Sequence, residues 1–268
     1  MTPAPATPAR APPRRGLSQS AFDVLVWGGL AALLLAGFRG AEIAKMGDLF
    51  SGSANMRQFA GEFVQPNFSD IRIYVAAMWL TIQMALWGTF LALVIAAPLG
   101  LAGARNLAPI WIQQPARRLL DILRSIPDLA VGAIFVVAVG LGPFAGVMAL
   151  AVNTGGVLGK LFSEAVEAVE PGPVEGVRAT GAAPLQQIVW GVLPQVAPLW
   201  SSYALYRFES NARAATVLSL IGAGGIGQNL FDSINSFAFD QTSAIVIVIV
   251  VAVSAIDLIS QLIRTRLV

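Results

Sequence analysis

The sequence predicts an all-α membrane protein with about six transmembrane helices, and three observations predict it. First, the 268 residues are 56% hydrophobic and only 12% charged, against about 25% charged in an ordinary soluble domain. Second, Ile73–Ala104 and Leu129–Gly159 contain no charged residue, and a helix crosses the hydrocarbon core in about 20 residues. Third, most of the basic residues fall in segments that the apolar stretches place on one side of the membrane. A soluble fold of this length could not hide so much apolar surface, because more than half of any protein's exterior is already apolar. The sequence has no cysteine and no histidine. Disulfides, thiol chemistry, Ser-His-Asp triads and most zinc sites are therefore excluded. The net charge of +2 is too small to point to nucleic acid.

Residues 1–20 are rich in Pro, Ala and Arg, include Arg10, Arg14 and Arg15, and read as a disordered basic tail on the cytoplasmic side. Val24–Phe38 is the first apolar span. A basic stretch before an apolar run also describes a signal peptide, but the tail is long and more membrane follows, so an uncleaved helix is expected. Residues 39–72 are mixed and polar and read as an external segment, with an amphipathic stretch at Met56–Val64. The second span is placed at about 74–101, followed by a short basic loop with Arg105, Arg117, Arg118 and Arg124. The next apolar stretch is broken at Gly140-Leu141-Gly142-Pro143, a turn signal. It reads as a hairpin of spans at about 122–141 and 144–163, with Glu164, Glu167 and Glu170 marking the exit to water. Spans at about 193–215 and 242–262 complete the set, and Arg264 and Arg266 suit an interfacial anchor. The tail, the 104–124 segment, the 160–190 loop and the C-terminus hold most Lys and Arg, so the positive-inside rule puts both termini in the cytoplasm.

The loop between the fourth and fifth spans carries the most specific pattern. Glu175–Thr180 suits a short helix, Gly181 a break, and Pro184 the first turn of a second helix. Leu185, Ile188 and Val189 then fall on one face. An exposed apolar stripe of this kind either docks a partner or packs on the protein's own helices. The spacing resembles the coupling-loop signature of ABC importer permeases: Glu-Ala-Ala, three residues, Gly, nine residues, Ile-x-Leu-Pro. Glu175, Gly181, Leu193 and Pro194 match it, whereas Gly176, Val177 and Gly191 depart. Longer segments resemble the phosphonate-importer permeases: RSIPDLAVGAIFVVAVGLGPFAGVMALAVNTGGVLGKLFSEAVEAV at 124–169, PGPVEGVRATGA at 171–182 and YRFESNARAATVLSLIGAGGIGQ at 206–228.

The resemblance implies a type I (methionine-importer-like) permease core over residues 73–268, preceded by a first helix and periplasmic segment at 21–72. It implies a second permease copy, a dimer of ATPase subunits gripping the loop at about 172–190, a periplasmic phosphonate-binding protein and a bacterial inner-membrane location. Alkylphosphonates, phosphite, hypophosphite and phosphate all fit as cargo, and a related importer for methionine or another small solute shares the architecture. No G-x-x-x-x-G-K-[ST] occurs, so ATP and Mg are expected on the partner ATPase and no cofactor on this chain. A secondary transporter would need a coupling-ion site and no coupling loop. A membrane enzyme would need convergent catalytic groups, and no catalytic residue is assigned.

Gly222-Ala223-Gly224-Gly225-Ile226-Gly227 fits G-x-G-x-x-G with Asp240 downstream, but a dinucleotide fold needs a βαβ unit. Among membrane spans, Gly222, Gly224 and Gly225 instead read as a re-entrant turn beside a transport path. Arg207, Glu209 and Arg213 fall inside the fifth span, where ionisable residues mark paths or pair with one another. Glu209 and Arg213 have the i,i+4 spacing of an intrahelical pair, whereas Arg207 lies on another face without a local partner. Guanidinium groups match oxyanions well, so Arg207 and Arg213 are the candidate anion contacts, with Ser210 and Asn211 as neutral ones. Asn153 is a lone amide in the fourth span that bonds across helices or faces the path. Gly155, Gly156 and Gly159 beside it allow close helix approach, and Asp23, Asp121, Asp128 and Asp257 read as interfacial or capping residues.

Overall fold

A computed structural model of the chain describes residues 17–51, 57, 60, 61 and 63–267. The expected basic tail lies outside the described residues as far as residue 16, and its remainder, residues 17–20, is already helical. Of the Met56–Val64 stretch, residues 56, 58, 59 and 62 also fall outside them. The chain divides into two compact units, Met1–Ala60 and Gly61–Val268. In the first, helix α1 (Leu17–Gly40) leads through a 3-10 turn (Ile43–Lys45) into the short α2 (Met46–Ser51). The apolar side chains of α1 stay exposed, Leu25 and Leu33 by about three quarters, as a lipid-facing helix requires.

The second unit is built on α3 (Ile71–Gly103), which at 33 residues runs about 50 Å. Lipid gives helices no hydrophobic reason to associate, so their contacts rest on close van der Waals packing between small residues. Helix α3 presents such a stripe: Gly88, Ala92, Ala96 and Gly100 recur every fourth position and are buried. Against it lies α6 (Pro143–Glu167). A Cβ at Gly88 would meet the Leu150 side chain, and one at Gly100 would meet Phe162. In return, Gly155 of α6 receives Ile95 of α3.

The other side of α6 holds α4 (Ile110–Ser125). Most of the predicted basic loop is therefore helix. Gln113, Ala116 and Leu120 of α4 are buried, and its basic residues sit on other faces. Gly156 and Gly159 of α6 lie directly against Leu123, the backbone of Arg124 and Leu120, the close approach anticipated from sequence. Arg117 donates from Nε to the Gly103 carbonyl at 2.8 Å and from its terminal nitrogen to Glu167. That pair ties the middle of α4 to the C-terminal ends of α3 and α6, so Glu167 is bridged as well as near the surface.

The predicted single span at 122–141 is a bent pair. Helices α4 and α5 (Asp128–Val139) meet at 90°. Pro127 offers no N–H and holds Ile126 in extended backbone, with φ −86° and ψ 126°, which ends α4. Past Glu167 the chain forms α7 (Pro171–Ala179), α8 (Pro184–Gln187) and one π turn (Ile188–Val192) before α9 (Leu193–Leu218). The π turn is closed by the Leu193 N–H donating to the Ile188 carbonyl five residues back. Helix α9 ends in a 3-10 turn (Ser219–Ile221), and the glycine segment bends the chain by 52° into α10 (Ile226–Asn235). Helix α11 (Phe239–Leu267) closes the bundle.

By length and composition, α3, α6 and α11 can each cross a membrane, and the two bent pairs bring the number to five. The apolar run of α1, Phe22–Phe38, is shorter than these, so among the described residues up to five spans stand against the about six expected. No strand occurs among the described residues, which removes the dinucleotide-binding alternative. The α4–α6 contact at Gly156 is rigid because the atoms facing it include the Arg124 backbone N. Gly156→Val should therefore destabilise the bundle by about 1–3 kcal/mol. It should lower the melting temperature in detergent, whereas Gly172→Ala, where nothing lies within 4 Å, should leave it unchanged.

Candidate functional site

At membrane depth three helices contribute polar side chains to one buried chain of hydrogen bonds. Arg207 of α9 donates from a terminal nitrogen to the Thr154 hydroxyl of α6 at 3.4 Å. Thr154 donates to the Asn211 carbonyl oxygen at 2.8 Å. The Asn211 amide donates to the Thr89 hydroxyl of α3 at 2.8 Å, and Thr89 donates to its own helix at the Ala85 carbonyl. Asn211, Thr154 and Thr89 are all buried. Arg207 and Asn211 are one helical turn apart, so the same face of α9 supplies both. The Asp128 carboxylate at the start of α5 lies within electrostatic reach of Arg207. The Asp128 Oδ1 and Arg207 Nε atoms are both buried and make no hydrogen bond. Asp128, expected as an interfacial or capping residue, thus lies in the field of the guanidinium, and Arg207, without a local partner as expected, bonds across to Thr154 of α6.

The predicted Glu209–Arg213 pair does not form. Glu209 is buried and accepts from Arg264 of α11 at 2.7 Å, whereas Arg213 reaches Asp257 of α11 at 3.5 Å. Both charges point across to α11 rather than along α9, because a carboxylate buried between helices is best served by a donor from the facing helix. Arg264, read as an interfacial anchor, is therefore an interhelical partner. Arg213 lies about half exposed on a different side of α9 from the buried chain, and Ser210 is half-buried beside it. Asn153 takes the first of its two expected roles, its amide donating at 3.1 Å to the Ile126 carbonyl that the α4–α5 break leaves open.

The glycine turn lies at the far end of α9. Gly222, at φ 89°, occupies left-handed backbone that favours glycine, and its carbonyl accepts from the Gly142 N–H at 3.0 Å. The two glycine turns therefore hold each other. Gly225 lets the Ile226 N–H reach the Thr81 hydroxyl of α3 at 2.9 Å, and Gly224 stands between them. None of these glycines is within the Arg207 cluster.

The loop over residues 172–190 sits at the opposite end. Gly181 has φ 83° and separates α7 from α8 as expected. Pro184 opens α8, and the Ala183 N–H donates to the Gln186 side chain at 2.8 Å. Leu185 is 72% and Trp190 70% exposed, while Ile188 and Leu193 are half-buried and Glu175 and Pro194 exposed. Gly191, where the family signature has Ile, is buried, and its Cβ position lies 3.0 Å from the Val174 Cα. The smaller residue lets α7 pack on the π turn. Thr89 and Thr154 were missed from sequence, and Asp257, read there as an interfacial or capping residue, is the partner of Arg213. Hydroxyls on apolar helices bond to their own backbone at no visible cost to the pattern, and a partner on another helix leaves no local spacing.

A helical membrane bundle whose polar groups converge at mid-depth, with an exposed helical loop at one end, is the build of a transport permease. The chain belongs to the binding-protein-dependent transport system inner membrane component family, which it matches over residues 96–268. The phosphite transport system permease protein PtxC of Stutzerimonas stutzeri is 41% identical over 217 residues, covering 81% of this chain and 79% of that one. PhnE2 of Escherichia coli (strain K12), named for a cryptic phosphonate transport system, is 60% identical over 117 residues, 44% of this chain and 96% of its own. The inward-facing MetNI methionine ABC transporter superimposes with a TM-score of 0.67 at 21% identity, over 75% of this chain and 99% of that one. The chain therefore has the fold of an ABC importer permease.

Glu209 is nearly buried and Arg264 about one third exposed. Breaking their pair should cost less than the roughly 3–5 kcal/mol of a fully buried pair. Glu209→Leu should lower the melting temperature, and a Glu209→Leu/Arg264→Leu double variant should recover part of the loss, as thermal unfolding in lipid would read.

Proposed function

We propose that this chain carries a phosphorus oxyanion, phosphonate or phosphite by class, into the cytoplasm as the membrane subunit of an ATP-driven importer. The observation that carries this reading is Arg207, a half-buried residue whose buried Nε–H has no partner beside hydroxyl and amide groups from three helices. A guanidinium offers paired donors that match a planar-edged oxyanion, and in low dielectric such a contact outweighs a neutral one. Asp128 opposite balances the charge when no anion is present, so the contact does not become a trap. The names of the relatives agree with the cargo class, and Asn153 and Asn211 hold the helices that line the cluster.

Two copies of the chain together form the path, with lipid around them. Two ATPase subunits bind ATP and Mg and grip the 172–190 loop through Glu175, Leu185, Ile188 and the turn at Gly181. A solute-binding protein delivers the anion from the periplasm. ATP closure moves the loop, α9 moves with it because the π turn joins them without a break, and the Arg207 cluster changes the side to which it opens. Arg213 and Ser210 line a wider part of the same path, and the Gly222–Gly225 turn forms its outer margin. Both termini are cytoplasmic, consistent with the basic residues at Arg264 and Arg266.

In the complex reconstituted in lipid with its ATPase and binding protein, phosphonate or phosphite should stimulate ATP hydrolysis and sulfate should not. Arg207→Gln should lower uptake roughly 10- to 100-fold, the range for a lost charged hydrogen bond, with assembly intact. Uptake at the normal rate would remove Arg207 from the path. Gly181→Val, strained at φ 83°, should abolish stimulation while leaving the melting temperature of the permease within a degree or two.

A further inference from the structure

Helix α3 carries an exposed apolar ridge with a hollow on each side. Val75 and Trp79 form the ridge, and both are more than half exposed. On one side a groove of about 460 Å³ runs between α3 and α11, from Phe68 and Ile71 at its mouth to Ile82 and Ala255 at its inner end. Only apolar and aromatic side chains line it. On the other side a hollow of about 440 Å³ lies against Ala76 and also begins at Ile71. Arg72, in the first turn of α3, stands in the wall of this second hollow. It is exposed, and among the described residues it forms no ion pair. Neither hollow is lined by a carboxylate.

The dimensions choose the occupant. Ile71 to Ile82 covers about 16 Å of helix axis, close to half of the roughly 30 Å hydrocarbon core. The groove is thus as long as one leaflet is deep. Its volume over that length averages roughly 30 Å² in cross-section, whereas a helix about 10 Å wide needs about 80 Å². A helix seated here would also meet the bulk of Val75 and Trp79, and helices in lipid associate through small residues. A flexible hydrocarbon chain has neither difficulty. At the mouth, a guanidinium without a carboxylate partner matches a pair of phosphate oxygens. We infer that this face of the permease holds one anionic glycerophospholipid, with an acyl chain on each side of the Val75–Trp79 ridge and its phosphate on Arg72. An ethanolamine head would bring an ammonium group for which neither hollow has a partner, so the head is anionic rather than zwitterionic. The chain in the groove joins α3 to α11, and the lipid braces the last helix against the frame. This inference rests only on α3 and α11 crossing the membrane and is independent of the cargo.

The test is lipid binding to the full-length chain, purified in mild detergent within its complex and titrated with phosphatidylglycerol or phosphatidylethanolamine of equal chain length. Native mass spectrometry counts the lipids retained. Wild type should hold one phosphatidylglycerol per chain, about tenfold tighter than phosphatidylethanolamine, the low end for a charged hydrogen bond. Arg72→Gln should remove that preference and bring the two lipids together. Ala255→Phe fills the inner end of the groove from an exposed position and should weaken both lipids about tenfold. Val251→Trp, on the same wall, serves if that variant does not assemble. Equal binding of the two lipids by wild type, or retention that neither Arg72→Gln nor a groove-filling variant alters, would overturn the site. So would Ala255→Phe splitting the complex with lipid binding unchanged, since a protein surface would then occupy the groove. Inorganic phosphate should not displace the lipid. Displacement at equal concentration would make Arg72 a site for a free oxyanion and end the proposal.

Discussion

The contact between α3 and α6 is the constraint on which the rest of the bundle depends. In lipid there is no hydrophobic gain from bringing two apolar helices together, so the gain must come from density. Gly88 and Gly100 on one helix and Gly155 on the other remove the side chains that would hold the axes apart. Helix α6 then offers its second side, through Gly156 and Gly159, to α4. Its third side carries Phe162, stacked on Trp200 of α9 at a 4.1 Å ring separation, and Thr154, bonded to Asn211. Every helix that shapes the polar cluster is thus registered against α6, and the cluster is only as well placed as that first contact.

How much of this was legible beforehand follows from how local each signal is. The long apolar stretches, the helical hairpin at Gly140–Pro143, the break at Gly181 and the close approach at Gly155–Gly159 are written in consecutive residues, and they stand in the structure. The bend at Pro127 was also local, yet the uncharged run that continues past it outweighed a single proline. The α4 helix was hidden because four arginines in a short segment look like a loop, whereas their spacing leaves Gln113, Ala116 and Leu120 free to face inward. The ion pairs were misread for a different reason. Glu209 and Arg213 satisfy a spacing rule for surface helices, but a buried carboxylate is claimed by whichever donor meets it across the interface, and Arg264 lies 55 residues away.

The same logic explains where the helices are allowed to break. An open carbonyl or N–H at membrane depth needs a partner from elsewhere in the protein. At the α4–α5 bend the Ile126 carbonyl accepts from the Asn153 amide, and at the α9–α10 bend the Ile226 N–H donates to the Thr81 hydroxyl. In both cases a single side chain from a continuous helix, α6 or α3, closes the gap. The long helices therefore do two tasks: they provide the packed frame, and they carry the polar groups that make irregular backbone tolerable beside the cluster.

The π turn at Ile188–Val192 sets the angular phase of everything on either side of it. An α-helix advances about 100° per residue, and a π turn inserts one residue without ending the helix. The exposed face bearing Leu185 and Trp190 is consequently rotated by about that angle from where an unbroken helix would aim it relative to Arg207. Shortening this segment by a single residue would leave composition, hydropathy and chain path almost untouched, yet it would turn the loop's apolar face away from its present direction. The chain thus stores the relative aim of its two ends in the count of residues through one turn, a quantity that no substitution alters and that only an insertion or deletion can rewrite.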